Sequence, residues 1–129
     1  MARFTRFEDI EAWQEAKTLA AEIYKLTNHS TFRRDFSLKD QIRRAAVSVM
    51  ANIAEGFGRK TNKDFANFLY TARASAMEVI SHAYIAQELN YINDHQFDPL
   101  RTGYERVIAK TTKLIRYLET TTKPKRTTN

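Results

Sequence analysis

The sequence predicts an all-α chain folded as an antiparallel up-down four-helix bundle. Three observations lead there: scarce turn residues, apolar side chains at helical spacing, and cap signals ahead of the apolar runs. Only three glycines and two prolines stand among 129 residues, too few for the many turns of a sheet protein this size. Four segments repeat apolar residues at three-and-four spacing. The connections between them are short, which makes neighbouring helices antiparallel.

The first helix is expected from about Glu8 to Thr27, with Trp13, Ala16, Ala20, Ile23, Tyr24 and Thr27 on one broad face. The second is expected to start at Ser37, whose hydroxyl can cap it while Asp40 stands three residues on. Its core face reads Leu38, Ile42, Ala45, Val49, Ile53, and Gly56-Phe57-Gly58 is expected to end it. The third begins near Thr61, with Asp64 in the capping-box position, and holds Phe65, Phe68, Leu69, Ala72, Ala76, Val79, Ile80 and Ala83 on one face to about Asn90. The fourth has two possible starts. Asn93 with Gln96 favours Asp94, leaving Pro99 inside the helix, whereas Asp98 can cap a helix that opens at Pro99. Its stripe is Leu100, Tyr104, Val107, Thr111, Leu114, Ile115 and Leu118. The bundle thus occupies residues 1–120, and residues 121–129, threonine-rich and basic, are expected to be a disordered tail.

Composition bounds the function. With no cysteine there is no disulfide, thiolate metal site or thiol nucleophile. The opening MARFTRFEDI places charges where a signal peptide would be apolar, and the longest nearly uncharged run, Ala45 to Ala54, falls far short of a membrane span. A cytoplasmic protein without a membrane partner is the expectation. His29, His82 and His95 are scattered; Glu78 and His82 stand one turn apart without the second Glu-x-x-His pair that a di-metal bundle needs. No nucleophile elbow is present. No enzymatic activity and no cofactor are expected.

Two features exceed what a lone bundle requires. Tyr70, Met77 and Tyr84 recur every seven residues away from the core face of helix three. Helix two is apolar nearly all round from Ala45 to Ala54, so Val47, Met50, Ala51 and Ala54 need a cover that four helices do not supply. A subunit interface between copies of the chain is the expectation. The remaining side of helix two, Gln41, Arg44, Ser48, Asn52 and Glu55, reads either as a solvated face or as a hydrogen-bonded network between helices or subunits.

Twenty-one basic against fifteen acidic residues give a net charge of +6, a balance that suits polyanions and also serves solubility. Basic residues cluster at Arg33-Arg34, Lys39-Arg43-Arg44, Arg59-Lys60-Lys63 and Lys123-Lys125-Arg126. The Arg59–Lys63 group surrounds a glycine turn at a helix start, where backbone amides also favour phosphate. GFGRKT nevertheless lacks the length and ending of a nucleotide-binding loop. The nucleic-acid candidates are Arg59, Lys60 and Lys63 first, then Arg43, Arg44, Lys123, Lys125 and Arg126.

The runs FEDIEAWQ at residues 7–14, QIRRAAVSV at 41–49 and NIAEGFGR at 52–59 resemble the 23S rRNA intervening-sequence protein family, also called the four-helix bundle protein family. Phe65, Phe68-Leu69-Tyr70, Ala72, Ser75, Glu78, Leu89 and Tyr91-Ile92 continue the resemblance to about residue 118. It implies a four-helix bundle assembled as a ring-like homopentamer. Relatives are encoded within insertions in 23S rRNA genes. One branch is the accessory variability protein of diversity-generating retroelements, a basic barrel that binds nucleic acid and a partner reverse transcriptase. The resemblance brings no catalytic residue. Relatives often have proline where this chain has Met50, which implies a straighter helix two here. The expected function is a non-catalytic oligomer that binds structured RNA, or an RNA–DNA hybrid, through a basic surface. The alternative is a protein-binding scaffold with no nucleic-acid role.

Overall fold

The structure, a computed structural model, describes residues 4–29 and 31–121. It contains four helices, α1 (Glu11–Thr27), α2 (Phe36–Phe57), α3 (Asn62–Glu88) and α4 (Asp94–Thr120), with single 3₁₀ turns at Phe7–Asp9 and Phe32–Arg34 and no strand among the described residues. Each helix packs on two neighbours, α1 on α2 and α4, and α3 on α2 and α4, which closes a four-cornered bundle. Cross-helix pairs show the directions. Ser48 and Phe57 of α2 meet Ser75 and Phe65 of α3. Tyr70 and Arg73 of α3 meet Glu119 and Thr112 of α4, and Glu11 and Glu15 of α1 meet Lys110 and Arg106 of α4. In each pair one number rises as the other falls, so the helices run antiparallel.

Helix boundaries follow from caps, and two differ from the expectation. α1 begins at Glu11 rather than near Glu8, because Ile10 adopts an extended conformation and buries its side chain in the core. Phe7 packs edge-on against Trp13 at 5.0 Å and holds the 3₁₀ turn there. α2 is capped by Asp35, not Ser37: Asp35 Oδ1 accepts from Leu38 N at 3.1 Å. Its other oxygen accepts from Tyr91 Oη at 2.9 Å, a tertiary bond that Ser37 cannot make and local spacing does not reveal.

α2 runs unbroken through Met50 to Phe57. Gly56 lies inside it, and only Gly58 stands at the cap, with φ −75°, outside the left-handed region. Gly56 is there for packing: a Cβ on it would lie 2.7 Å from Phe68 Cβ and 2.9 Å from Phe65 Cδ1. Thr61 caps α3 by accepting from Asp64 N at 3.0 Å, as expected. α3 ends in a left-handed Asn90 (φ 59°), after which Tyr91 N donates to Ala86 O at 2.9 Å. Asn93 and Gln96 form a full capping box that starts α4 at Asp94 and leaves Pro99 inside the helix. The box satisfies two orphan donors, while Pro99 deprives only the carbonyl of the exposed residue His95.

The core is filled from all four helices, with Ile23, Ile42, Val49, Ile53, Phe65, Leu69, Val79, Tyr104 and Val107 each excluded from solvent. Along the polar side of α2, Ser48 Oγ and Ser75 Oγ lie 2.8 Å apart, and Asn52 Nδ2 donates to Ser48 Oγ at 3.0 Å and Ser48 O at 2.8 Å. The centre of that face is therefore a network between α2 and α3 of one chain, whereas Gln41, Arg44 and Glu55 at its margins are exposed.

Candidate nucleic-acid interface

The basic candidates divide between the two ends of the bundle. α2 spans 22 residues, roughly 33 Å at 1.5 Å per residue. It separates Arg33, Arg34 and Lys39 at its start from Arg59, Lys60 and Lys63 beyond its end. Arg43 and Arg44 lie along its length. Arg43 is not a free cation: its Nε donates to Thr27 Oγ1 at 2.8 Å and its guanidinium stacks over Tyr24 at 4.3 Å. This holds α2 to the C-terminal turn of α1, where a positive charge also meets the negative end of the helix dipole. Arg44 is exposed beside Asp40 in the shallow groove that Tyr24 and Val47 also line.

At the other end, Arg59 stacks over Phe68 at 4.6 Å and approaches Glu55 at 3.6 Å. Lys60 and Lys63 are exposed, and neither pairs with an acidic group among the described residues. Asn62 Nδ2 donates to Thr121 O at 3.3 Å, which brings the end of α4 beside the start of α3. A groove of about 500 Å³ lies there, lined by Asn62, Lys63, Ala66, Asn67, Leu118, Glu119 and Thr121. Lys123, Lys125 and Arg126 lie outside the described residues; their attachment point, Thr121, is at this end. The start of α3 is less open to phosphate through its amides than the sequence implies. Thr61 Oγ1 takes the Asp64 amide, and the Asp64 carboxylate itself stands in the first turn. The exposed positive charge at this end is carried by the lysine side chains, not by the helix terminus.

The apolar candidates fall on two different sides of the bundle. Val47 and Ala51 are exposed on the outside of α2, with Met50 and Ala54 half-buried beside them. Tyr70, Met77 and Tyr84 lie along the α3–α4 edge, Met77 being 54% exposed. Tyr70 Oη donates to Glu119 Oε2 at 2.9 Å, which raises its phenol above the usual value, and Tyr84 packs on Phe97 at 4.8 Å. Arg73 and Arg101 lie over the two tyrosine rings at 5.0 and 5.9 Å.

Phe36 belongs to no core stripe, so helical periodicity does not single it out. It is 70% exposed at the first position of α2. The available signal was an aromatic flanked by cations in FRRDFSLK. His82 Nε2 and Glu78 Oε2 are 3.2 Å apart on α3, and among the described residues no group of three or more His, Asp or Glu could hold a metal ion. No helix among the described residues is long and apolar enough to cross a membrane.

A solved structure from Bacteroides thetaiotaomicron VPI-5482, a protein of unknown function from the S23 ribosomal protein family, is similar to this chain. The TM-score is 0.75 at 22% identity over 81% of this chain and 98% of that one. This likeness shows the shared helical fold. Among curated proteins there is no match. The sequence matches the 23S rRNA-intervening sequence protein family over residues 8–113, which reaches from the first 3₁₀ turn into the last turns of α4. The chain belongs to the 23S rRNA-intervening sequence protein family.

Proposed function

We propose that this chain is a non-catalytic nucleic-acid-binding protein that acts as a homo-oligomer, a ring of five by family resemblance. RNA or DNA phosphates meet Lys60, Lys63 and Arg59 at the α2–α3 turn. The observation that carries the reading is the exposure of Lys60 and Lys63, without an acidic partner among the described residues, beside the attachment point of a tail containing Lys123, Lys125 and Arg126. The family's link to 23S rRNA supports an RNA ligand. Arg43 is not among these contacts, because its Nε and Nη2 bond to Thr27 and Tyr24 of α1 and its guanidinium plane stacks on the Tyr24 ring.

Assembly multiplies a modest charge. Each copy brings +6, and after one subunit engages a polyanion the others bind at high effective concentration. A ring needs a heterologous interface, with two unlike patches meeting head to tail. The outer side of α2 and the Tyr70–Met77–Tyr84 edge, on different sides of the subunit, are such a pair.

A gel-shift titration of RNA and DNA duplexes, at about 50 mM and about 200 mM salt, tests the binding. Light scattering in the same buffers reads the assembly. Affinity should fall by about 10³-fold over that interval if six or more phosphates are neutralised. No shift with either nucleic acid at the lower salt would leave the chain a protein-binding scaffold.

A further inference from the structure

The α1–α2 connection, at the end of the bundle opposite Lys60 and Lys63, presents an aromatic ring to solvent on a rigid base. Phe32 is 1% exposed and stacks on Tyr91 at 5.1 Å with an interplanar angle of 27°. Tyr91 Oη donates to Asp35 Oδ2 at 2.9 Å, and Asp35 Oδ1 accepts from Leu38 N at 3.1 Å. Backbone bonds from Arg34 N to Thr31 O and from Asp35 N to Phe32 O, both 3.1 Å, close the turn. One buried aromatic and one shared carboxylate thus fix the segment from which Phe36 projects.

The charges around Phe36 are as distinctive as its exposure. Lys39 Nζ lies 5.1 Å from the ring centroid. Arg33 and Arg34 are exposed and pair with no acidic group among the described residues. They stand two and three residues before Phe36, within roughly 11 Å along the chain. The nearest acid in sequence, Asp35, has both oxygens engaged by Tyr91 and Leu38; Asp40 is exposed one turn on. A lone exposed phenylalanine is ordinary. One held on a fixed turn, with a lysine over one ring face and two exposed arginines two and three residues before it, has the make-up of a stacking platform: a second π-face for a base and positive charge for the flanking phosphates.

We propose that Phe36, with Arg33, Arg34 and Lys39, binds an unpaired nucleobase of single-stranded RNA or DNA. Duplex bases have both faces covered by their neighbours, so only a loop, bulge or free end can offer a face to Phe36. Stacking on a phenyl face is tolerant of sequence, because every base offers a π-face. This rests on the nucleic-acid reading above and adds to it a second point of attachment, roughly 30 Å from the first along α2.

The test is fluorescence anisotropy with a labelled single strand and a duplex of equal length, on the full chain at low salt. Phe36→Ala should weaken the single strand about tenfold and leave the duplex unchanged. Phe36→Trp should retain the affinity, and its added indole emission should be quenched on binding. Equal single-strand affinity for Phe36→Ala and the unmodified protein would overturn the platform. So would loss of the oligomer in light scattering with single-strand affinity per chain unchanged, which would make a second copy the occupant. If the unmodified chain binds duplex but not single strand, this site fails while the proposed function stands. If it binds neither, both fail.

Discussion

Arg43 Nε of α2 donates to Thr27 Oγ1 of α1 at 2.8 Å, and that hydroxyl in turn reaches Ile23 O at 2.7 Å. Two helices are thereby joined through a threonine with no solvent exposure. Arg43→Ala should cost about 1–3 kcal/mol, because the charge-assisted bond and the stacking on Tyr24 both disappear. Arg44→Ala, at an exposed neighbour, should stay within about 0.5 kcal/mol of the unmodified protein. Urea unfolding of the two variants measures the contrast.

Gly56 and Gly58 should respond unequally to the same change. A Cβ at Gly56 meets Phe68 Cβ at 2.7 Å, whereas at Gly58 the nearest atom is Glu55 O at an ordinary 3.4 Å. Gly56→Ala forces α2 and α3 apart and should cost about 1–3 kcal/mol. Gly58→Ala, at a right-handed φ of −75°, should be nearly silent. Thermal unfolding distinguishes them.

Tyr104 carries a buried hydroxyl with no hydrogen-bond partner among the described residues, and desolvation alone raises its phenol far above the usual tyrosine value. The ring fills the bundle centre, but its oxygen is a liability there. Tyr104→Phe should leave stability unchanged or increase it, because the variant removes an unsatisfied group and keeps the shape. A fall of more than about 1 kcal/mol in urea unfolding, the worth of one net hydrogen bond, would mean that the hydroxyl has a partner.

The α1–α4 corner predicts the pH response. Burial works to raise the Glu15 carboxyl, but hydrogen bonds and charge from Arg106 and Lys110 outweigh it and hold its pKa below the ordinary value. Burial works to lower Lys110, and Glu11 and Glu15 outweigh it, so its pKa is raised. The lowered carboxyl stabilises the fold above the ordinary carboxylate range, and that contribution is lost as pH falls through the lowered pKa. The raised ammonium contributes below the ordinary lysine value and is lost as pH rises through the raised pKa. Glu15→Gln should therefore flatten the acid limb of a plot of unfolding midpoint against pH. An unchanged acid limb would show that Glu15 does not contribute to it.

The helices were legible because their causes are local. Ala72, Ala76, Val79 and Ala83 recur at helical spacing, and Thr61 and Asn93 bond to amides three residues on. What local pattern missed was set across the bundle. Asp35 caps α2 in place of Ser37 while Tyr91, far along the chain, holds its second oxygen. Gly56 marks a close approach to Phe68, not a turn. In the candidate site, composition placed Arg43 and Lys63 in one class. Only packing separates the arginine bonded to Thr27 from the lysine left facing solvent.

If Lys60 and Lys63 hold phosphates, the salt dependence of duplex binding must report it. Neither side chain takes part in the core or in an ion pair among the described residues, so Lys60→Glu/Lys63→Glu should keep the fold and the oligomer. The measurement is the slope of log affinity against log salt for the unmodified protein and for this double variant. Binding should weaken for every sequence alike, with the slope shallower by about 0.9 for each phosphate of duplex DNA that the variant no longer neutralises. Equal affinity and equal slope for the two proteins would contradict it.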